Sequence, residues 1–162
     1  MAGAIKVIIE TPKGSSLKYA YDQKSRFFLL KKILPSGMIF PYDFGFVPDT
    51  KGGDGDPLDI LVISEFSSFP GCMMECRVIG AFEAEQKEIK EGKVIRNDRF
   101  FCVPLLTTIF AEMEKLEDLP VSVTNEIESF FIQYNKEEGK EFRVLKKLGP
   151  KKAIGLIDAS RI

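Results

Sequence analysis

Short β-branched and apolar runs occupy the first two thirds of this chain, and helical spacing begins only at Val123. Strands that follow one another through short turns pair as an antiparallel or curled sheet, not as an alternating βαβ array. The runs are Ile5 to Glu10, ending at Thr11-Pro12-Lys13-Gly14; Leu17 to Asp22 and Arg26 to Leu34, a hairpin around Gln23-Lys24-Ser25; then Leu58 to Ser64, Glu75 to Glu83 and Phe100 to Val103. The aromatic stretch Met38 to Phe46 reads as a loop, and the charged run Glu83 to Lys93 as a solvated hairpin arm. Val123, Ile127, Phe130, Phe131 and Tyr134 fall at helical spacing with Gly139 as a stop, and Pro150 opens a last helix carrying Ala153, Ile154 and Ile157. The expectation is an α+β domain, a small barrel or curled sheet with two main helices packed outside it late in the chain.

At 162 residues the chain suits a single domain, 1–162, with a core that needs neither disulfides nor a structural metal. Its 23 basic and 24 acidic residues leave no bulk field to hold nucleic acid. No apolar run approaches the ~18 residues of a membrane span, and Met1 to Lys6 lacks the pattern of a secretory leader, so a cytoplasmic protein is expected. The chain has no histidine, which excludes Ser-His-Asp and Cys-His nucleophile systems and HExxH zinc sites. Cys72, Cys76 and Cys102 form no CxxC pair and sit in or beside apolar stretches, as buried free thiols do. Acid-base chemistry therefore falls to Asp, Glu, Lys or Tyr.

Three aspartates lie within six residues in Asp54-Gly55-Asp56-Pro57-Leu58-Asp59. Carboxylates suit hard divalent cations, and three this close repel one another unless a cation or a proton intervenes. Gly55 and Pro57 let such a turn aim its acids at a common point. Elsewhere stand Glu10, Lys18, Lys31, Lys32, Glu85, Arg96-Asn97-Asp98-Arg99 and Tyr134. Acids for metals and bases for phosphate oxygens are the two halves of a phosphoryl-transfer site. Two other classes compete. Asp54, Asp56 and Glu65 stand at the first, third and twelfth positions of an EF-hand loop, but Asp59 replaces its turn glycine and a strand pattern replaces its exiting helix. An OB-like nucleic-acid barrel would use the aromatics as stacking platforms, against which the near-neutral charge argues.

The order IIETPKGSSLKY, GMIFPYDFGFVPDT, DGDPLDILV, VIGAFEAEQ, NDRFFCVP and FFIQYNK resembles the soluble, metal-dependent inorganic pyrophosphatases of family I from Ile5 to about Gly149. The resemblance implies a small closed, OB-like β-barrel with external helices, Mg²⁺-dependent hydrolysis of pyrophosphate (Mn²⁺ serving in place of Mg²⁺), and a homohexamer as in bacterial relatives. Carried over, Asp54 and Asp59 match metal ligands, Asp56 the acid that activates the attacking water, and Glu10 a further metal acid. Lys18 and Tyr134 match phosphate-binding groups, with Lys32 in the place of an arginine and Arg99 in that of a lysine. Glu85 stands for an aspartate ligand if the arm carries a one-residue deletion. The remaining metal aspartate falls on Asn97 by strict spacing from Pro104 or on Asp98 after a one-residue shift; Asp98 is expected, because a carboxylate offsets cation dehydration better than an amide does.

The chain also departs from that pattern. Ala20 stands for a glutamate, Phe40 and Phe44 for tyrosines, and Asn135 for a lysine whose role Lys136 is placed to take. These changes thin the polyanion clamp, and they leave open a second reading, a catalytically weak or silent pyrophosphatase-like binding protein.

Overall fold

The computed structural model describes residues 3–162. Eight strands come first: β1 (Ala4–Thr11), β2 (Leu17–Asp22), β3 (Phe27–Ile33), β4 (Asp43–Val47), β5 (Leu58–Val62), β6 (Met73–Glu88), β7 (Val94–Arg96) and β8 (Arg99–Pro104). Helix α1 (Val121–Glu137), strand β9 (Lys140–Leu148) and helix α2 (Pro150–Ala159) follow. The pairing path runs β1-β4-β5-β8-β6, and β6 returns to β1, so five strands form a ring of ladders. Sixteen-residue β6 makes this possible: its first half pairs β1 and β8, while its second half projects beyond them and pairs β7 and β9. β2 and β3 form a separate hairpin whose β2 lies against β1.

The α+β expectation with two helices outside a sheet stands. Three strands were illegible, one of them the three-residue β7 that follows the charged run. Phe44-Gly45-Phe46 lies in β4, although its glycine and aromatics read as loop. Gly45 is there because a Cβ at that position would run into the backbone carbonyl of Ile8 on β1, so the glycine marks a close strand approach rather than a break. β9 sits between the helices, where the charged run Lys140 to Leu148 shows little apolar alternation because only Phe142 and Leu148 are fully buried. Among the described residues no helix is long and apolar enough to cross a membrane.

Period-two alternation splits the buried side chains into two cores. Ile60, Val62, Phe100 and Cys102 point inward with Val7 and Val78 and are closed off by Ala153 and Ile157 of α2. Leu61, Phe101 and Phe82 point the other way and pack beneath Ile127, Phe131 and Tyr134 of α1. Cys76 and Cys102 are buried free thiols, as expected, whereas Cys72 is half-buried. The face that meets α1 also carries the charged residues described next.

Candidate active site

β5 and β8 run parallel, and their register sets Asp59 directly beside Arg99. Both follow the alternation of Leu61 and Phe101, so they rise on the α1 side, past the edge of that core. Arg99 is 6% exposed, and its guanidinium donates through Nη1 to Asp59 Oδ2 and to Asn97 Oδ1 (2.7 Å) and lies 5.1 Å and 5.8 Å from the ring centroids of Phe131 and Phe142. Its Nε has no hydrogen-bond partner, and neither does the hydroxyl of Tyr134, itself 6% exposed. An unpaired buried donor costs about 1–3 kcal/mol; two of them beside one cleft are donors waiting for an acceptor.

That cleft measures about 970 Å³. On the hairpin side, Lys18 faces Lys32 across the β2–β3 ladder, and their ammonium groups lie 5.2 Å and 5.4 Å from the centroid of the Tyr134 ring. Glu10 reaches in from β1, its carboxylate accepting the Tyr21 N–H at 2.8 Å. Asp54 and Asp56 enter from the β4–β5 turn, where Asp54 Oδ1 accepts the Asp56 N–H (3.0 Å), the Asp56 carbonyl accepts the Gly52 N–H (2.8 Å), and Gly55 takes a φ of +89°. A left-handed φ there suits glycine and lets two aspartates flank one tight bend.

The acids sense one another. Burial pushes the Glu10 carboxyl up to about 7, with Asp59 and Asp56 adding to the effect and the Tyr21 N–H and Lys18 opposing it. Asp59 is raised by burial and pulled back by Arg99. Asp56 is raised by desolvation and by Asp54, against Lys18. Burial likewise raises the Tyr134 hydroxyl. A hard divalent cation relieves such a set, and all its donors are oxygens, with no thiolate lining the cleft. Among the described residues no three acids enclose an ion by themselves. The set fits a hard divalent cation that accepts one or two carboxylates and completes its shell with water and other oxygens.

Two expected ligands are elsewhere. Glu85 lies on the opposite face of β6 from Phe82 and Ala84, opposite Arg96 and Arg143 in the flanking ladders, and bonds Arg143 at 2.6 Å. Gln86 takes the cleft face. Asp98 faces away as well: Arg96 binds it at 2.6 Å and the Ala84 N–H donates to it at 3.0 Å, while Asn97 lines the cleft. For Glu85 a one-residue change of register on β6 turns the side chain to the other face, whereas Asp98, in the link between β7 and β8, is held aside by Arg96 and the Ala84 N–H. Asp98 and Asp54 both border a separate cavity of about 100 Å³, but Asp98 is absent from the large cleft.

Lys31 lines the cleft beside Lys32, and Lys24 and Lys140, which no sequence pattern marked, line it too. Lys140 follows α1 directly, whereas Lys136 is exposed outside the cleft. Asn135 is fully buried, donating to the Phe131 carbonyl (2.8 Å) and accepting from Gln86 (2.6 Å), so the position that lost a lysine now braces α1 against β6. Phe40 and Phe44 pack edge-on at 4.7 Å among Phe130, Phe131 and Tyr134, where a hydroxyl would need a partner.

Glu65 takes no part in a calcium loop. Its carboxylate caps the turn after β8, accepting the Thr107 hydroxyl and the N–H (2.8 Å) and hydroxyl (2.7 Å) of Thr108. These bonds hold its carboxyl far below the ordinary value of 4.5, the Thr107 hydroxyl foremost. A depressed folded pKa stabilises above the unfolded value and loses that contribution as pH falls. Glu65→Gln is expected to lower Tm at pH 7, with the gap to the parent narrowing steadily below pH 4.5 in thermal melts. A gap independent of pH would contradict the assignment.

Residues 7–161 match the family model described as inorganic pyrophosphatase. The chain is 38% identical to the inorganic pyrophosphatase of Synechocystis over 89% of its own length and 82% of the relative's, and 37% identical to that of Geobacillus stearothermophilus over 95% and 90%. Its fold superposes on the crystal structure of the Thermus thermophilus inorganic pyrophosphatase with a TM-score of 0.87 at 31% identity, covering 98% of this chain and 90% of the other. A matching sequence, a matching fold and a cleft with acids set against lysine, arginine and tyrosine donors lead to one conclusion: the chain belongs to the inorganic pyrophosphatase family.

Proposed function

We propose that this protein hydrolyses inorganic pyrophosphate to two phosphates by attack of water, with Mg²⁺ or Mn²⁺ held at the acidic side of the cleft. The observation that carries this reading is the pairing of mutually repelling carboxylates with orphaned donors in one cleft, Arg99 Nε and the Tyr134 hydroxyl. When bound, the cation neutralises the polyanion and acidifies the attacking water. Asp54, Asp59 and Glu10 serve as its ligands. Asp56 orients the water and accepts its proton. Lys18, Lys32, Arg99 and Tyr134 hold phosphate oxygens and stabilise the charge that grows on the leaving phosphate. Glu85 and Asp98 have no part in this assignment. Phosphate release from pyrophosphate, with Mg²⁺ and after chelation, tests it: release that needs the metal is expected, and none under any divalent cation would leave the silent binding protein.

Tyr134→Phe has effects of opposite sign. Removing a buried hydroxyl without a partner leaves Tm unchanged or raises stability by about 1 kcal/mol, while KM for pyrophosphate rises about tenfold, the equivalent of one lost hydrogen bond near 1.4 kcal/mol. Unchanged KM would remove Tyr134 from the phosphate site.

The same reading takes 1–162 as one domain, the five-strand ring as a closed OB-like barrel, and the protein as cytoplasmic, with pyrophosphate and no nucleic acid or membrane among its partners. A homohexamer accords with exposed apolar side chains such as Phe27, Ile33 and Val121. Sedimentation should give six chains, and a monomer at micromolar concentration would reject that assembly.

A further inference from the structure

We propose that Asn97 is a substrate-binding residue, its side-chain amide donating to a phosphate oxygen, and that the Gln86, Asn97 and Arg99 side of the cleft takes the anion without a bridging cation. This rests on the pyrophosphatase reading and assigns the half of the cleft where two carboxylates had been expected.

The orientation of the amide carries the inference. Asn97 Oδ1 accepts from Arg99 Nη1 at 2.7 Å, so the end of Asn97 able to ligate a cation faces a guanidinium. Its other end, Nδ2, is a donor, which attracts an anion and repels a metal ion. Arg99 is itself held by Asp59 and by the rings of Phe131 and Phe142, and its Nε has no partner. Asn97, in the two-residue link between β7 and β8, and Arg99, the first residue of β8, both line the cleft and present donors side by side.

Gln86 faces them as a neutral group. Its amide nitrogen donates to Asn135 at 2.6 Å, and Asn135 is locked in turn to the Phe131 carbonyl. It therefore offers the cleft no negative charge. The carboxylates next in sequence, Glu85 and Asp98, are neutralised by Arg143 and Arg96 on the opposite face. The mutually coupled acids Glu10, Asp54 and Asp56 come from β1 and the β4–β5 turn, and Asp59, the carboxylate beside Asn97, is already engaged by Arg99, while Asp22 and Glu138 reach the cleft from the β2–β3 turn and the end of α1. Divalent cations concentrate where carboxylates share a site, and amide and guanidinium N–H groups bind phosphate oxygens directly.

The test counts metal and anion separately. Mn²⁺ bound per chain is measured by equilibrium dialysis with electron paramagnetic resonance detection, and affinity for methylenebisphosphonate, a non-hydrolysable pyrophosphate analogue, by calorimetry in Mg²⁺. Asn97→Ala is expected to keep the parent's Mn²⁺ count and to bind the analogue about tenfold more weakly. Asn97→Asp is expected to gain about one Mn²⁺ per chain by placing a carboxylate beside Asp59. Loss of a Mn²⁺ ion in Asn97→Ala, unchanged analogue affinity in that variant, or no gain in Asn97→Asp would each overturn the proposal. Phosphate release by the parent protein separates the two failures: hydrolysis with a lost ion in Asn97→Ala leaves the enzyme and removes this inference alone, whereas no hydrolysis removes the enzyme.

Discussion

Asp56→Asn is expected to lower turnover about a thousandfold at saturating Mg²⁺ and pyrophosphate, in line with the loss of a positioned general base. The substitution is nearly isosteric and leaves the turn intact, because the local hydrogen bonds run through the Asp56 backbone, its N–H to Asp54 and its carbonyl from Gly52. Metal binding should survive as well, since Asp54 and Asp59 stay in place. What is lost is a carboxylate whose proton affinity is raised by desolvation and by Asp54 and opposed by Lys18, as suits a group that must take a proton and release it. Phosphate release kinetics with a parallel Mn²⁺ titration checks this. Near-normal turnover would remove Asp56 from the proton-accepting role, and lost Mn²⁺ binding would recast it as a ligand.

Arg99→Ala is expected to be the most disruptive single change, costing about 3 kcal/mol of stability and most of the activity. Three effects contribute. The substitution strands Asp59 without its cation, strips Asn97 of its donor and removes the guanidinium packed against the stacked rings of Phe131 and Phe142. Breaking a fully buried pair costs about 3–5 kcal/mol; Asp59 opens onto the cleft, which moderates that term, and the lost aromatic contacts add back about 1 kcal/mol. For a domain of this size the sum corresponds to roughly 6–12 °C in Tm. Arg99→Lys should fall between, retaining charge but lacking the flat guanidinium that rests against Phe131 and Phe142. Calorimetry decides: a Tm within about 2 °C of the parent for Arg99→Ala would mean that the pair adds nothing net to the fold.

Both predictions depend on groups that differ in how readable they were. Asp54, Gly55, Asp56 and Pro57 form a turn within a few residues, so spacing and glycine placement reveal it before any fold is known. The hairpin lysines were half readable, because Lys18 and Lys32 meet across a local β2–β3 ladder. Glu85 and Asp98 were misplaced for a different reason. A one-residue shift is a small change in an alignment but a reversal of direction on a strand, and the alternation of Phe82, Ala84 and Gln86 was the one available signal that Glu85 points outward. β9 was missed because charged residues dominate its exposed face and its partner on β6 lies more than fifty residues away.

Local chemistry in the chain was enough to establish an α+β domain without histidine chemistry, a cation-seeking turn, and the two late helices, because turns, helical periodicity and charge clusters are encoded within a few neighbouring residues. Long-range packing alone settled which charges share the cleft. The parallel β5–β8 register sets Asp59 against Arg99, and in the short β7–β8 link Arg99 holds Asn97 at the cleft while Arg96 and the Ala84 N–H hold Asp98 away from it. Facing direction on a strand depends on partners far away in the chain, and no local pattern carries that information.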